Sequence, residues 1–470
     1  MVSETSRLLC KTSGGDEKGC VLLMAALSSF LTPYTGSSIN IALPSIGEEF
    51  YLDAVFLSWI PMAFLLSASV FLVPFGRLSD IYGRRRIFGY GILIFTIASL
   101  SAGLSVSPWM LLISRIAQGL GSAMIFGTSV AMLSSVYPHG ERGWAMGITI
   151  AAVYLGLSTG PFLGGILTQY AGWRSIFFVS VTLGLTASAL TYFRLKRDWV
   201  DAPGEKFDLV GSVLFGSSVF AFVYGSSLLP GQNGIVLIAF GMTGLLSFGI
   251  VELHQKSPVV EVRLFLDNRH FALSNLAALI NYAATFAVGF LLSLYLQYIK
   301  GFDSAFSGAV LVSQPIVMTL LSPIAGRLSD RIEPGSVATA GMLVTALGII
   351  PFVFLSAGTS LFYIVSSLAV LGCGLAMFSS PNTNAIMSSV EKRFYGIASA
   401  TLGTMRLFGQ MFSMGLAMTI FAIYLGRVEI DEVRSEQLMS AIHIAFSLFS
   451  ILCLIGIMAS NSRGRIKKPA

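Results

Sequence analysis

The chain has 470 residues, a mean hydropathy of +0.79, only 11% charged residues and a formal charge of +6. So little charge cannot cover a water-soluble protein of this length, whereas lipid accepts apolar side chains on the outside. The basic residues fall in short loop clusters rather than one continuous patch, which excludes a nucleic-acid-binding surface.

Residues 1–19 mix Glu4, Asp16 and Glu17 with Arg7, Lys11 and Lys18, and the apolar run behind them is too long for a signal peptide. They read as a tail ahead of a first membrane helix at 20–44. Further apolar stretches of the ~20 residues a helix needs to cross a bilayer lie at 54–76, 87–106, 109–136, 144–170, 174–193, 209–228, 234–252, 271–298, 307–326, 337–356, 360–388, 396–425 and 438–460. About 14 spans place both termini on one side. Of the 29 Lys and Arg, 23 lie in segments on that side and 4 on the other, while Arg115 and Arg406 fall inside spans. The positive-inside rule then makes both termini cytoplasmic. The four cysteines, Cys10, Cys20, Cys373 and Cys453, have no metal-binding spacing.

The chain repeats itself. Gly76-Arg77-Leu78-Ser79-Asp80 returns as Gly326-Arg327-Leu328-Ser329-Asp330, and Ser134-Ser135-Val136 returns as Ser388-Ser389-Val390. The order and the nearly constant offset indicate duplication, which in transporters puts the substrate site at the repeat interface near mid-membrane. The expected fold is an all-α integral membrane protein of two six-helix bundles plus a central helix pair. The halves are 1–193 and 271–470, with a linker and inserted pair at 194–270.

Asp80 ends a helix, where the macrodipole is already negative, so its carboxylate needs a partner. Arg84, Arg85 or the N-terminus of a facing helix can supply one, and Gly83 permits the tight turn. Such a contact, made in one domain arrangement and broken in another, is a latch. The alternative is a basic run that only fixes topology. Gly156, Gly160 and Gly164 share one helix face that a neighbour can approach closely, and Pro161 bends that helix. Arg115 and its neighbour Gln118, and also Arg406, are embedded polar groups and therefore functional candidates, with snorkelling to the interface as the alternative. Asn40, Gln118, Asn281, Gln314, Asn382 and Gln410 are candidate cavity groups, each equally readable as a helix-to-helix hydrogen bond.

The turn at Gly76 resembles the signature cytoplasmic turn of the major facilitator superfamily. Arg115-Ile116-Ala117-Gln118-Gly119-Leu120-Gly121 is similar to the fourth-helix motif of its drug exporters, and Gly156 to Gly165 to their fifth-helix antiporter motif. Trp173-Arg174, Asn40 to Pro44 and the inserted pair add to the likeness, which is to the 14-helix drug:proton antiporter branch. The resemblance implies export of small molecules by alternating access in a cell membrane, proton coupling through the arginine matching Arg115, and no cofactor. A monomer with the bilayer, a small-molecule substrate and the proton as its partners is the resulting expectation.

All 23 Asp and Glu lie outside the deep parts of the spans. Many members of the resembling branch carry an acid in the first helix; the matching position here is Thr35. Three routes stay open: coupling through Asp80, Asp330 or another interfacial acid; a facilitator without coupling; or a cavity for anionic or neutral substrates. A membrane enzyme would need a reactive constellation that four scattered histidines do not supply. The segment after the last span, Asn461 to Ala470, is short for a signalling sensor, and no P-loop indicates ATP-driven transport.

Overall fold

The computed structural model describes residues 15–137, 141–195, 198–200, 207–254, 262–391, 395–426 and 435–463. Pro203-Gly204 of the linker, Lys392, Arg393 and the basic residues from Arg465 onward lie outside them. The first half comprises α1 (Gly15–Phe50), α2 (Ala54–Tyr82), α3 (Arg84–Gly103), α4 (Pro108–Val136), α5 (Arg142–Ala171) and α6 (Ser175–Phe193). The inserted pair is α7 (Leu209–Ser227) and α8 (Gln232–His254). After the short α9 (Val262–Asp267) come α10 (Arg269–Thr285), α11 (Val288–Leu294), α12 (Ser304–Leu311), α13 (Ser313–Arg331), α14 (Pro334–Ile349), α15 (Leu361–Ser388), α16 (Tyr395–Tyr424) and α17 (Ser435–Asn461). Among the described residues 14 helical stretches are long and apolar enough to span a membrane.

Several helices overrun their apolar blocks, because polar caps rather than the end of the hydrophobic run decide where they start. Asp53, Ser107, Asp208, Asn268, Asp303 and Ser360 each accept a backbone N–H of the following first turn. Two spans are broken. Between α10 and α11 the N–H of Ala287 turns to Ser413 Oγ at 3.0 Å. Between α12 and α13 the break precedes Pro315, which brings no N–H to continue the ladder.

The two halves pack in one order. α1 lies on α5, α2 on α4, and α4 on α3, with α6 against α3; likewise α10 lies on α16, α13 on α15, and α15 on α14, with α17 against α14. Duplication of a six-helix unit accounts for that correspondence. The inserted helices pack on each other through small residues: a Cβ at Gly225 would sit 2.8 Å from Gly234 O. α7 then bridges the halves. Tyr224 meets Trp59 of α2 at 6.1 Å between ring centroids, and Phe215 meets Phe408 of α16 at 5.4 Å.

Candidate functional site

The helices have a basic end, where α2, α4, α13 and α15 finish, and an opposite end. The opposite end is closed between the halves. Pro44 has no N–H, so the carbonyl of Asn40 one turn earlier lacks its helical partner. Ser293 Oγ of α11 donates to that carbonyl at 2.7 Å. Gln297 Nε2 donates to Ile41 O at 3.2 Å, and Tyr298 OH to Pro44 O at 3.4 Å. On the other flank α5 meets α12 at backbone distance: a Cβ on Gly165 would strike Ser304 O, and one on Gly308 would strike Pro161 O. Beside this closure a cavity of about 280 Å³ is lined by Ser45, Glu48, Gln169, Tyr298 and Asp303.

The other face of α5 carries the stripe Gly156, Gly160 and Gly164, turned to α1. A Cβ at Gly156 would lie 2.5 Å from Phe30 O, and at Gly164 2.9 Å from Ser38 Cα. Ser38 Oγ donates to Gly160 O at 3.0 Å, a bond that only so close an approach permits. Beyond α5, Trp173 Nε1 and both Nη groups of Arg174 donate to Glu49 at 2.6–2.8 Å, and Arg174 also donates to Ser105 O. That pair ties the ends of α1, α3 and α6 together.

At the basic end Arg84, rather than Arg85, meets Asp80. Its Nε and Nη2 donate to Asp80 Oδ1 at 3.1 and 2.8 Å, while Nη1 donates to Ser135 Oγ of α4 at 2.6 Å. Ser79 Oγ donates to Gly76 O at 2.7 Å, and Ser329 Oγ to Gly326 O at 2.7 Å, so the repeated pentapeptide folds alike. The second carboxylate has a different partner: Asn384 Nδ2 of α15 donates to Asp330 Oδ1 at 3.3 Å.

Half-exposed residues follow helical spacing along α1 (Leu23, Ala26, Leu27, Phe30, Pro33, Ser37) and stop there; Ser38 to Pro44 are all buried. Matching stripes run along α10 (Leu279, Tyr282, Phe286) and α15 (Cys373, Met377, Ser380, Asn384). Half-exposed positions thus recur at helical spacing on helices of both halves.

The sequence profile of the Major Facilitator Superfamily matches residues 25–414 and 274–460. The chain belongs to the major facilitator superfamily. It is 29% identical over 447 residues to the riboflavin transporter RibZ of Clostridioides difficile, covering 94% of this chain and 96% of that one. It is 29% identical to the multidrug resistance protein Stp of Mycobacterium tuberculosis (86% and 76% covered) and to the cephamycin export protein CmcT of Amycolatopsis lactamdurans (87% and 86%). A crystal structure of the peptide transporter POT with alafosfalin shares the fold, with a TM-score of 0.72 at 14% identity over 98% of both chains. The protein is thus a multi-pass membrane transporter of this superfamily.

Within that fold the sequence candidates separate. Arg115 is fully buried in the first half. Its guanidinium lies over the Phe64 ring at 4.5 Å, its Nη1 donates to Gln118 Oε1 at 2.7 Å, and Gln118 Nε2 donates to Ser99 Oγ at 2.8 Å. No snorkelling occurs, and both residues are fully buried. Thr35 is buried too, its hydroxyl 3.0 Å from Ser180 of α6, so this position faces the interior of the first half. Asn382 donates to Ser274 O and accepts from Arg463, which makes it a helix-to-helix bond. Asn281 is fully buried with neither amide atom hydrogen-bonded, and the Asn40 side chain is 8% exposed. Gln314, Arg406 and Gln410 are half-buried.

Sequence reasoning missed three groups: Gly165 and Gly308 in the closure, and Tyr154. Ser322 of α13, Tyr282 and Arg406 lie near enough to Tyr154 to act electrostatically on it. Chemistry-bearing residues of both halves therefore meet at one level. An aromatic residue repeated in matching spans would have been the only signal, and tyrosines are too common in membrane helices to give it.

Proposed function

We propose that this transporter exports small amphipathic, drug-like molecules by alternating access, driven by proton entry, from a cell membrane in which both chain ends face the cytoplasm. The observation that carries the reading is the closure of the end opposite the basic one, where Ser293, Gln297 and Tyr298 bond to α1 and α12 meets α5 at backbone distance, the arrangement in which an exporter loads from the basic side. The excess of Lys and Arg at that end supports its cytoplasmic assignment. The multidrug and cephamycin-export relatives support the direction. In this reading residues 1–193 and 271–470 rock as two bodies in a monomer, with α7 and α8 filling one flank. The Asp80–Arg84–Ser135 contact is the latch of the cytoplasmic side, and coupling runs through Asp80, Asp330 or another interfacial acid. Reconstituted into proteoliposomes, the chain should move an amphipathic dye faster when a pH gradient is imposed; flux blind to the gradient rejects proton antiport.

A second reading has its own support. Among the described residues every Asp and Glu lies in a loop or in a terminal turn of a helix, and the expected first-helix acid is Thr35. That pattern favours a facilitator, or an exporter of an anionic or neutral metabolite, without coupling through an embedded carboxylate. The same gradient experiment separates the two.

A further inference from the structure

At the basic end, where α3 begins and α6 finishes, the two helices enclose a cavity of about 70 Å³. Its walls are Arg85, Arg86, Gly89, Tyr90, Thr191 and Tyr192. Gly89 makes the room. With no side chain there, the Tyr192 ring crosses onto α3, and its hydroxyl lies 3.4 Å from where a Cβ would stand. Arg85 and Arg86 come one turn before Gly89 and Tyr90, so both guanidinium groups share the cavity with two phenols.

The two arginines differ. Arg86 Nε is 3.4 Å from Asp198 Oδ2, which offsets its charge. Arg85 gives Asp198 only its backbone N–H. Among the described residues the Arg85 guanidinium has no hydrogen bond and no ion pair, and its Nε is buried. A buried donor without an acceptor carries a desolvation cost that an anionic oxygen removes, and the guanidinium fork matches a phosphate.

The cavity stands at the head of a lipid-facing furrow. From Arg86 the exposed residues of α3 continue at helical spacing through Tyr90, Leu93, Ile97 and Leu100. α6 runs alongside: Tyr192 meets α3 at Gly89, and a Cβ at Gly103 would lie 3.0 Å from the Phe178 ring. Apolar residues exposed along two membrane-spanning helices face acyl chains, and tyrosines at helix ends belong at the headgroup level. A free cytosolic anion would use the arginine alone, whereas a lipid uses the arginine and the furrow.

We propose that this cavity binds the phosphate head group of an anionic lipid, with Arg85 as its main ligand and the α3–α6 furrow holding an acyl chain. Basic pockets between helices on the cytoplasmic side are suited to such head groups. The site is independent of the transported substrate and of the coupling ion.

Native mass spectrometry of the detergent-solubilised full chain tests it with dioleoylphosphatidylglycerol and dioleoylphosphatidylcholine. These lipids share acyl chains and a phosphate, and only the second carries a cation beside it. The wild type should bind the first molecule of phosphatidylglycerol about fivefold more tightly than phosphatidylcholine, and Arg85→Gln should remove that preference. Arg331→Gln, at the basic end of the other half, should leave it within about twofold of wild type. Gly89→Leu keeps both arginines and fills the cavity, so it too should lose the preference, which a diffuse attraction to basic residues would not. Equal wild-type affinity for the two lipids, the same loss in Arg331→Gln as in Arg85→Gln, or undiminished phosphatidylglycerol binding by a folded Gly89→Leu chain overturns the proposal. So does displacement of the lipid by excess sodium phosphate, which would make the free anion the ligand.

Discussion

Asp198, in the segment after α6, accepts a hydrogen bond at 2.9 Å from the backbone N–H of Arg85 in the first turn of α3. The same oxygen accepts from its neighbour Trp199, and the N–H of Arg84 donates to Trp199 O at 3.0 Å. The linker thus caps the helix that carries the latch arginine. Gly83 makes room: its φ is +112°, and a Cβ there would run into the Asp198 carboxylate.

Removing this cap should therefore reach the latch without touching it. Asp198→Ala is expected to cost about 1 kcal/mol, the usual loss for a cap, and to slow transport several-fold at normal membrane abundance. Asp198→Asn keeps an acceptor and should behave nearly as wild type. Gly83→Ala should be worse than either. Efflux rates alongside quantified membrane protein check the order; equal activity of all three would remove the linker from the gate.

The closed end gives a second prediction. Gly165→Leu and Gly308→Leu place side chains where Ser304 O and Pro161 O now sit. Both variants should hold the opposite end ajar and abolish transport while still inserting into the membrane. A cysteine introduced by Ser45→Cys, beside the closure, should react faster with a membrane-impermeant maleimide in either background. Unchanged labelling would mean that the helices adapt without opening.

How much of this was legible in the sequence depends on separation along the chain. The 14 spans follow from hydropathy, and Arg84 with Asp80 or Gln118 with Arg115 follow from helical spacing of four and three residues. Asp198 and Arg85 are 113 residues apart, and Arg463 and Asn382 are 81 apart. Nothing local announces such pairs. The Gly156–Gly160–Gly164 stripe was readable because its period matches the helix; Gly165 faces the other way, and only the approach of α12 gives it a role. Burial was the least legible property. Arg115 and Arg406 look alike in sequence, yet one is fully buried and the other half-buried.

Pro44 and Ser293 form a donor–acceptor arrangement that can be dissected. Ser293→Ala leaves the Asn40 carbonyl without its donor and should weaken the closed state by about 0.6 kcal/mol, the mean for hydrogen bonds between membrane helices. That is roughly a threefold rise in the open fraction. Pro44→Ala restores a helical N–H to compete for the same carbonyl and should act in the same direction. The maleimide labelling rate reads both; a rate below wild type for Ser293→Ala would contradict the assignment.

Arg463 ties the end of α17 to α10 and α15. It is 4% exposed, with its Nε bonded to Ser460 O at 3.0 Å and its Nη1 to Ser274 Oγ at 3.1 Å and Asn382 Oδ1 at 2.6 Å. Arg463→Ala leaves those buried acceptors unpaired and should cost about 2 kcal/mol. Arg463→Lys, a point charge that cannot reach the same set in a plane, should fall between. Burial lowers the guanidinium to about 10 from 12.5. The unfolded chain therefore binds more protons only between those values, and stability gained through deprotonation appears only as pH rises past 10. Below that both states are charged, so the deficit of Arg463→Ala in thermal unfolding should be the same at pH 6 and pH 8. A deficit that grew or vanished across that interval would show that another titrating group governs this junction.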